Sequence, residues 1–487
     1  MGHDPSAIDG KFKRADETAQ LLIIGAGSAG TEAAIAAVQA GESVLLVDEN
    51  PVDPQMMGLD APLFYGGRMT SSIQRPERLL EQMLAANPRL GVALELGVDV
   101  RLGVTAWGLY VNGPNLRGLP QPMVGLADHG RSWMCGFERL ILATGARDVA
   151  LAFPGWDQPG VMGANGLNAL VTRYDAFAGR RIVVMGSGEL AVATARLALS
   201  YGLEVAALVE VLSKPQGSPD DLAGLAEAGV PLLLGCTQLS AVGGVEGVAG
   251  LALLDSAGIK RTLSCDTICQ CMGLAPAIEL LNAAGGDIVA DAMRGGHAPR
   301  LDGIATSLAH VSAVGDCAGI QPGHDAWAYQ AAWLRALAEH ADPSMIVCQC
   351  EGVTRGDLLE VRAPRYLGDP TEKSRARQLK TLAADGPVNQ DQIKRLTRAC
   401  MGVCQARRCR EQVALMLALE TGVRQQDVPL AGFRAPVRPL PLRVLADFEE
   451  SIAMRAGWEI WMAIPGQWAP YDAIGTDLEF EPVQEVR

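Results

Sequence analysis

Two stretches of the sequence obey one grammar, and that repetition limits the fold more than any other feature. "LLIIGAGSAGTEAAIAAVQAGESVLLVDEN" (21–50) reads as a strand at Leu21–Ile24, a glycine turn, a helix over about 28–41, a strand at Ser43–Val47 and then two acids. "RRIVVMGSGELAVATARLALSYGLEVAALVE" (180–210) repeats it, with the first glycines of the turns, Gly25 and Gly186, 161 residues apart. A strand, a tight glycine turn and a helix leading into a second strand is the right-handed crossover of a parallel sheet. The chain is therefore α/β and carries two such folds.

Each glycine of the first turn has a mechanical reason. Gly25 makes the tight turn, Gly27 admits a close pyrophosphate, and Gly30 lets helix and strand approach. The helix N-terminus adds free N–H groups and the positive end of a dipole. Asp48 stands 23 residues beyond Gly25, where a carboxylate accepts ribose hydroxyls, and Glu49 is its neighbour. In the second turn Gly186 and Gly188 are kept and Ala191 replaces the third glycine. Glu210 then favours a ribose diol over a 2′-phosphate, so the order of preference is NAD before NADP. The residues leave three occupants open there: NAD, ATP or none.

Two further apolar strands follow the same logic. "FERLILATGARDVALAFPGW" (137–156) ends its strand in Ala143-Thr144-Gly145, and "TSLAHVSAVGDCAGI" (306–320) ends in Gly315-Asp316. In order and spacing with the first glycine turn, they resemble the signatures of the glutathione-reductase-like flavoprotein superfamily, over roughly residues 20–340. The resemblance implies FAD on Gly25, Gly27, Gly30, Asp48, Thr144, Gly145, Gly315 and Asp316.

From about residue 342 the composition changes to cysteine-rich and basic. "IVCQCEGVTRG" (346–356) supplies Cys348 and Cys350, and "TRACMGVCQARRCR" (397–410) supplies Cys400, Cys404 and Cys409. Four thiolates from two loops suit an iron–sulfur cluster or a tetrahedral zinc, although neither pair has the C-x2-C spacing common in zinc sites. Six cations and no acid lie between Lys394 and Arg410. A basic surround offsets the negative charge of a thiolate-bound cluster.

Together, "ATGARDVALAFPGWDQPGVMGANG" (143–166), "VMGSGEL" (184–190), "GDCAGI" (315–320), "CQCEGVTRGDLL" (348–359) and "TRACMGVCQARRC" (397–409) resemble one family. It is the flavin and iron–sulfur subunit of bacterial multi-subunit amine and amino-acid dehydrogenases. The A subunits of opine oxidases and the α subunits of D-hydroxyproline dehydrogenase and heterotetrameric sarcosine oxidase are similar, as is one subunit of hydrogen cyanide synthase. The resemblance implies a glutathione-reductase-like flavoprotein with two dinucleotide-binding domains and a small C-terminal ferredoxin-like [2Fe-2S] domain held by Cys348, Cys350, Cys404 and Cys409. It implies FAD in this chain and FMN at a subunit interface. It also implies a β subunit with its own FAD that oxidises the substrate, a small third subunit, and a quinone or carrier as electron acceptor.

Two departures stand out. Cys400 occupies a position where the family has glycine, and reads as a buried extra thiol. The family's Gly-Gly-Gln turn is displaced to Gly66-Gly67-Arg68, so Gly67 and Arg68 are expected at the flavin.

The expected boundaries are a flexible tail (1–19), the FAD domain in two parts (20–150 and 282–342), a nucleotide domain (151–281), the [2Fe-2S] domain (343–425), and a Pro-rich strap with a tryptophan-bearing, partner-contacting tail (426–487). A net charge of −14 argues against nucleic acid. No membrane span or signal peptide is visible, and eleven cysteines point to a reducing cytosol. Peripheral contact with the inner face of the membrane stays open. No C-x2-C or C-x4-C redox disulfide accompanies the first fold. Cys269 and Cys271 read as packing, and His324 as a structural residue at a helix start near the flavin. No complete substrate-oxidising centre is visible, so no catalytic residue is assigned. A stand-alone NADH-dependent reductase and a structural scaffold subunit are the alternatives.

Overall fold

The computed structural model describes residues 14–50, 75–113, 119–244, 247–338, 341–364 and 376–446, with Ile73, Leu116, Thr371, Glu372 and Ile452. Gly67, Arg68 and the tryptophans of the tail lie outside them.

The first fold is built on β1 (Glu17–Ile24), α1 (Ser28–Gln39) and β2 (Val44–Asp48). It continues through β3 (Asp99–Leu102), β4 (Thr105–Tyr110), β5 (Met123–Ala127) and β6 (Ser132–Leu142). The sheet order is β3-β2-β1-β6-β5-β4. Leu21, Leu22 and Ile23 are fully buried, because a parallel strand covered on both faces has no polar side. β1 starts earlier than the apolar run suggests and takes in part of the expected tail. Glu17 and Thr18 pair with Cys135 and Gly136, and the Glu17 carboxylate accepts the Trp133 indole N–H at 2.6 Å.

The second fold has β7 (Ala146–Asp148) at its entrance, then β8 (Val161–Gly163), α2 (Ala164–Thr172), β9 (Arg181–Met185), α3 (Glu189–Ser200) and β10 (Glu204–Val209). With β11 (Leu232–Leu233) and β12 (Thr267–Gln270) the sheet runs β11-β10-β9-β12-β8. The chain then returns to the first sheet, where β13 (Val311–Ala313) lies parallel to β6. Helix α4 (Ala326–Ala338) follows.

The cysteine-rich segment holds a short hairpin, β14 (Ile346–Cys348) with β15 (Val353–Thr354), and two helices that frame the thiols, α5 (Gln390–Thr397) and α6 (Arg410–Thr421). Where a ferredoxin-like unit is expected, this hairpin is the segment's only sheet among the described residues. The segment also has no core of its own. Val413, Leu415 and Leu417 of α6 share one buried cluster with Phe153 and Val183 of the second fold and Trp333 of α4.

Polar joints fix this arrangement. Buried Gln412 accepts the N–H of Ala152 and donates to the Val347 carbonyl, each at 2.8 Å. Arg147 on β7 pairs with Glu279 at 2.6 Å and Glu411 at 2.9 Å, and donates to the Arg407 carbonyl at 2.8 Å. The strap crosses the first fold: Phe433 and Val437 enter its core, and Arg438 pairs with Glu49 at 2.7 Å.

Arg147→Ala strands the Glu279 carboxylate, whose side chain is only 3% exposed. The expected loss of stability is about 3–5 kcal/mol, as for a buried pair deprived of one partner. Urea unfolding of both proteins measures it; a loss under about 1 kcal/mol, the value of a surface pair, would show that the joint carries no weight.

Candidate functional site

The first glycine turn is tight on one side and open on the other. A Cβ on Gly25 would lie 2.2 Å from the Ala143 carbonyl oxygen, and one on Gly30 would lie 1.9 Å from that of Gly25. Gly27 and Gly145 face open space. Asp48 accepts the Ala26 N–H at 2.7 Å, so this acid braces the turn from the end of β2. Asn87, which no local pattern announces, donates to the Ala26 carbonyl and to Thr31, each at 3.0 Å. Gly315 packs on the other flank, its Cβ position 2.7 Å from the Ala29 methyl. Thr144 is tied to the Ala277 carbonyl at 2.9 Å. The structure thus brings Gly25, Gly27, Gly30, Asp48, Gly315 and Asp316 to the rim of one cradle, with Thr144 and Gly145 at the adjoining end of β6.

The second turn has the same outline and a different interior. Glu210 is fully buried. It accepts the Ser187 hydroxyl at 2.6 Å, the Tyr329 hydroxyl at 2.7 Å and the Leu212 N–H at 3.0 Å. The Gln216 N–H closes on Ser187 at 3.0 Å. The carboxylate expected to meet a ribose diol is instead consumed by the chain. Burial, and then the Glu210 charge, hold the Tyr329 hydroxyl in its protonated, donating form well above its ordinary range. His324 does lie just before a helix, α4, but its ring stands against Tyr329 at 5.0 Å and 3.9 Å from the Cβ position of Gly188. It therefore borders the second turn. Cys269 and Cys271 are buried as expected, their sulfurs 3.8 Å apart.

The cysteine loops form a nest. Cys348, Cys400, Cys404 and Cys409 are buried and Cys350 is half-buried. The Cys409 sulfur lies 3.7 Å from that of Cys348 and 3.6 Å from that of Cys400. Cys404 touches Cys409 and Cys350. The Cys409 thiol, helped by the N–H groups of Cys400 and Glu351, holds Cys348 below the ordinary thiol range. The Cys350 and Cys409 thiols do the same for Cys404. The same contacts push the Cys350 and Cys409 thiols up, so two of these four sulfurs are favoured as thiolates, the form that binds metal, and two as thiols that donate to them. Gly402 is obligatory here, since a Cβ would meet that of Cys350 at 2.4 Å. Among the described residues no three His, Cys, Asp or Glu side chains form a ready-made single-ion site. The sulfurs run instead as a chain of pairwise contacts.

A cleft of about 150 Å³ joins the parts. Thr144 and Cys404 both line it, as do Glu49, Arg147, Asp148, Arg407, Arg408 and Arg438. Sequence reasoning missed Arg147 and Arg438; the signal for the first was a cation–acid pair directly after the apolar strand and its Ala-Thr-Gly end.

Asp148 supplies a pH test. Burial lifts its carboxyl from 3.8 to about 6, against the opposing N–H groups of Asn165 and Gly166. Over that window the folded protein holds a proton that the unfolded chain has released, so stability falls as pH rises through it. Asp148→Asn is expected to flatten the dependence of the urea midpoint across the window. An unchanged slope would show that Asp148 titrates normally.

Among the described residues no helix is long and apolar enough to cross a membrane. Comparison with known proteins agrees with the two-fold architecture. The chain is 27% identical to the A subunit of opine oxidase from Agrobacterium tumefaciens (strain Ach5), over 88% of this chain and 91% of that protein. It is 28% identical to the alpha subunit of sarcosine oxidase from Rhizobium meliloti (strain 1021), over 58% of this chain and 27% of that longer one. The crystal structure of L-proline dehydrogenase from P. horikoshii superimposes with a TM-score of 0.57 at 19% identity, covering 88% of this chain and 79% of that one, a likeness of fold. Residues 19–332, most of the chain, match one family throughout both nucleotide folds: the chain belongs to the pyridine nucleotide-disulphide oxidoreductase family.

Proposed function

We propose that the chain is the electron-transfer subunit of a multi-subunit, flavin-dependent dehydrogenase. Its substrate class is a secondary amine, imino acid or amino acid of the opine, hydroxyproline, proline or sarcosine kind. The observation that carries this reading is the shared cleft: the Thr144 end of the first fold and Cys404 of the thiol nest line the same cavity. Relatives named as subunits of opine and sarcosine oxidases supply the substrate class and the expectation of partners.

The residues fit the implied groups. FAD would lie on the open face at Gly27 and Gly145, with Gly25, Gly30, Gly315 and Asp316 shaping the cradle and Asp48 and Glu49 at the ribose end. A [2Fe-2S] cluster would take Cys348, Cys350, Cys404 and Cys409, three of them buried and Cys350 half-buried, with N–H groups aimed at the sulfurs of Cys348, Cys350 and Cys404. Zinc is the weaker fit, because one ion needs its ligands around a single point. Arg147, Arg407, Arg408 and Arg438 make the cleft wall cationic, which suits the phosphate of an interface FMN. When bound, a flavin beside an iron–sulfur cluster supplies the step from two-electron to one-electron transfer. The chain's own part is to hold both, exclude water between them and present the cleft to a partner carrying its own FAD. A small third subunit, with a quinone or carrier as acceptor, completes the assembly. No redox step is assigned to Gly186, Gly188 and Glu210. Closure of Glu210 by Ser187 and Tyr329 counts against the NADH-dependent reductase.

Native mass spectrometry of the tagged chain from its own host tests the reading. A complex well above 51.3 kDa, containing a second flavoprotein and releasing FMN, is expected. A lone chain whose bound FAD bleaches rapidly with NADH would overturn it. Cys404→Ser is expected to lose iron and keep FAD, read from the metal content and the flavin absorbance.

A further inference from the structure

The nest holds one sulfur more than a four-ligand centre uses. Cys400 is buried, and its sulfur lies 3.6 Å from that of Cys409, as close as the Cys348 sulfur at 3.7 Å. Its backbone sits at φ 69°, a left-handed conformation that a side-chain-bearing residue adopts at a cost. The N–H of Cys400 also points at the Cys348 sulfur, and the Gln390 amide approaches the Cys400 sulfur at 3.7 Å. The surrounding structure thus holds this thiol in place against its own backbone preference.

A second observation points the same way. Arg410 is 1% exposed. Its Nε has no hydrogen-bond partner among the described residues, and the Phe433 ring covers the guanidinium at 3.2 Å. The nearby carboxylates of Glu279 and Glu411 are already engaged by Arg147. A buried cation this poor in acceptors calls for an anion beside it, and the thiol centre at Cys409 immediately precedes it in the chain.

We propose that Cys400 is a fifth ligand position of the thiol centre, interchangeable with Cys409. This rests on the iron–sulfur reading above. With Cys409 absent, a thiolate at Cys400 takes the vacated iron coordination, and its proton is released to solvent. The charge of the centre is unchanged by the exchange, and Gln390 orients the sulfur. No oxidant or reductant is needed, because one thiolate replaces another.

Iron, acid-labile sulfide and the EPR spectrum of the dithionite-reduced full chain, purified anaerobically, test it, with flavin content as the check on folding. Cys409→Ala is expected to retain iron and sulfide with shifted g-values. Cys400→Ala is expected to retain both with the wild-type spectrum, and the double variant to lose both. Loss of iron from Cys409→Ala as complete as from the double variant, with flavin still bound, would overturn the proposal and leave the iron–sulfur reading standing. Wild-type chain without iron and labile sulfide would overturn both. If Cys409→Ala does not accumulate folded, Cys409→Ser decides: an all-thiolate resonance Raman pattern supports the exchange, and serine ligation or loss of iron overturns it.

Discussion

The bridge made by Arg147 holds the candidate site together. One guanidinium, on the residue pair that follows the Thr144 strand end, reaches Glu279 of the first fold's return segment, Glu411 of α6 and the carbonyl of Arg407 in the thiol loop. Its five donors in a rigid plane allow three partners at once, which a lysine ammonium would not do with the same geometry. The consequence is positional. The loop carrying Cys404 and Cys409 is referenced to the same short strand that leads away from Thr144. The Thr144 end of the first fold and the thiol loop share a wall because one side chain joins them. Arg438 and Glu49 repeat the device across the mouth of the cleft, binding the strap to the acid beside Asp48.

What could be read in the sequence was what is local. The glycine turns and their strands follow from spacing alone. So does the grouping of thiols into two short loops. The fate of Glu210 did not, because it depends on Tyr329, 119 residues away in the chain and supplied by a different helix. His324 lies just before a helix, as its sequence suggests, but its contact with Tyr329 beside the second turn was not legible for the same reason. The start of β1 at Glu17 was hidden because polar residues there are satisfied by Arg101 and Trp133 from distant strands. Buried glutamines such as Gln390 and Gln412 give no local signal at all. Each holds two backbone groups from segments far apart in sequence.

The two glycine turns show how little a motif decides by itself. Both have a glycine in a left-handed conformation at the first position, Gly25 at φ 108° and Gly186 at φ 123°. Both precede a helix whose first turn offers free N–H groups. Yet the first leaves the face at Gly27 open and the second consumes its carboxylate with Ser187 and Tyr329. The difference is one of burial: Asp48 also takes three donors, one from Ala26 and two from Asn50, yet stays half-buried, whereas Glu210 is fully enclosed. A carboxylate buried with three donors has little to gain from a ribose and would lose existing bonds in meeting one.

That closure gives the second fold a different physical role. Its sheet and α4 supply the apolar surface against which α6 is buried, with Trp333, Phe153 and Leu417 in one cluster. The apolar residues of the cysteine-rich segment form no separate core but join that cluster, and a small unit by itself buries too little surface to offset its ordering entropy. Resting on the second fold solves that problem and fixes the nest against Trp156, whose indole N–H donates to the Ile346 carbonyl at 2.6 Å just before Cys348. A nucleotide fold whose own carboxylate is closed is thus retained as the platform that positions the thiols beside the first fold.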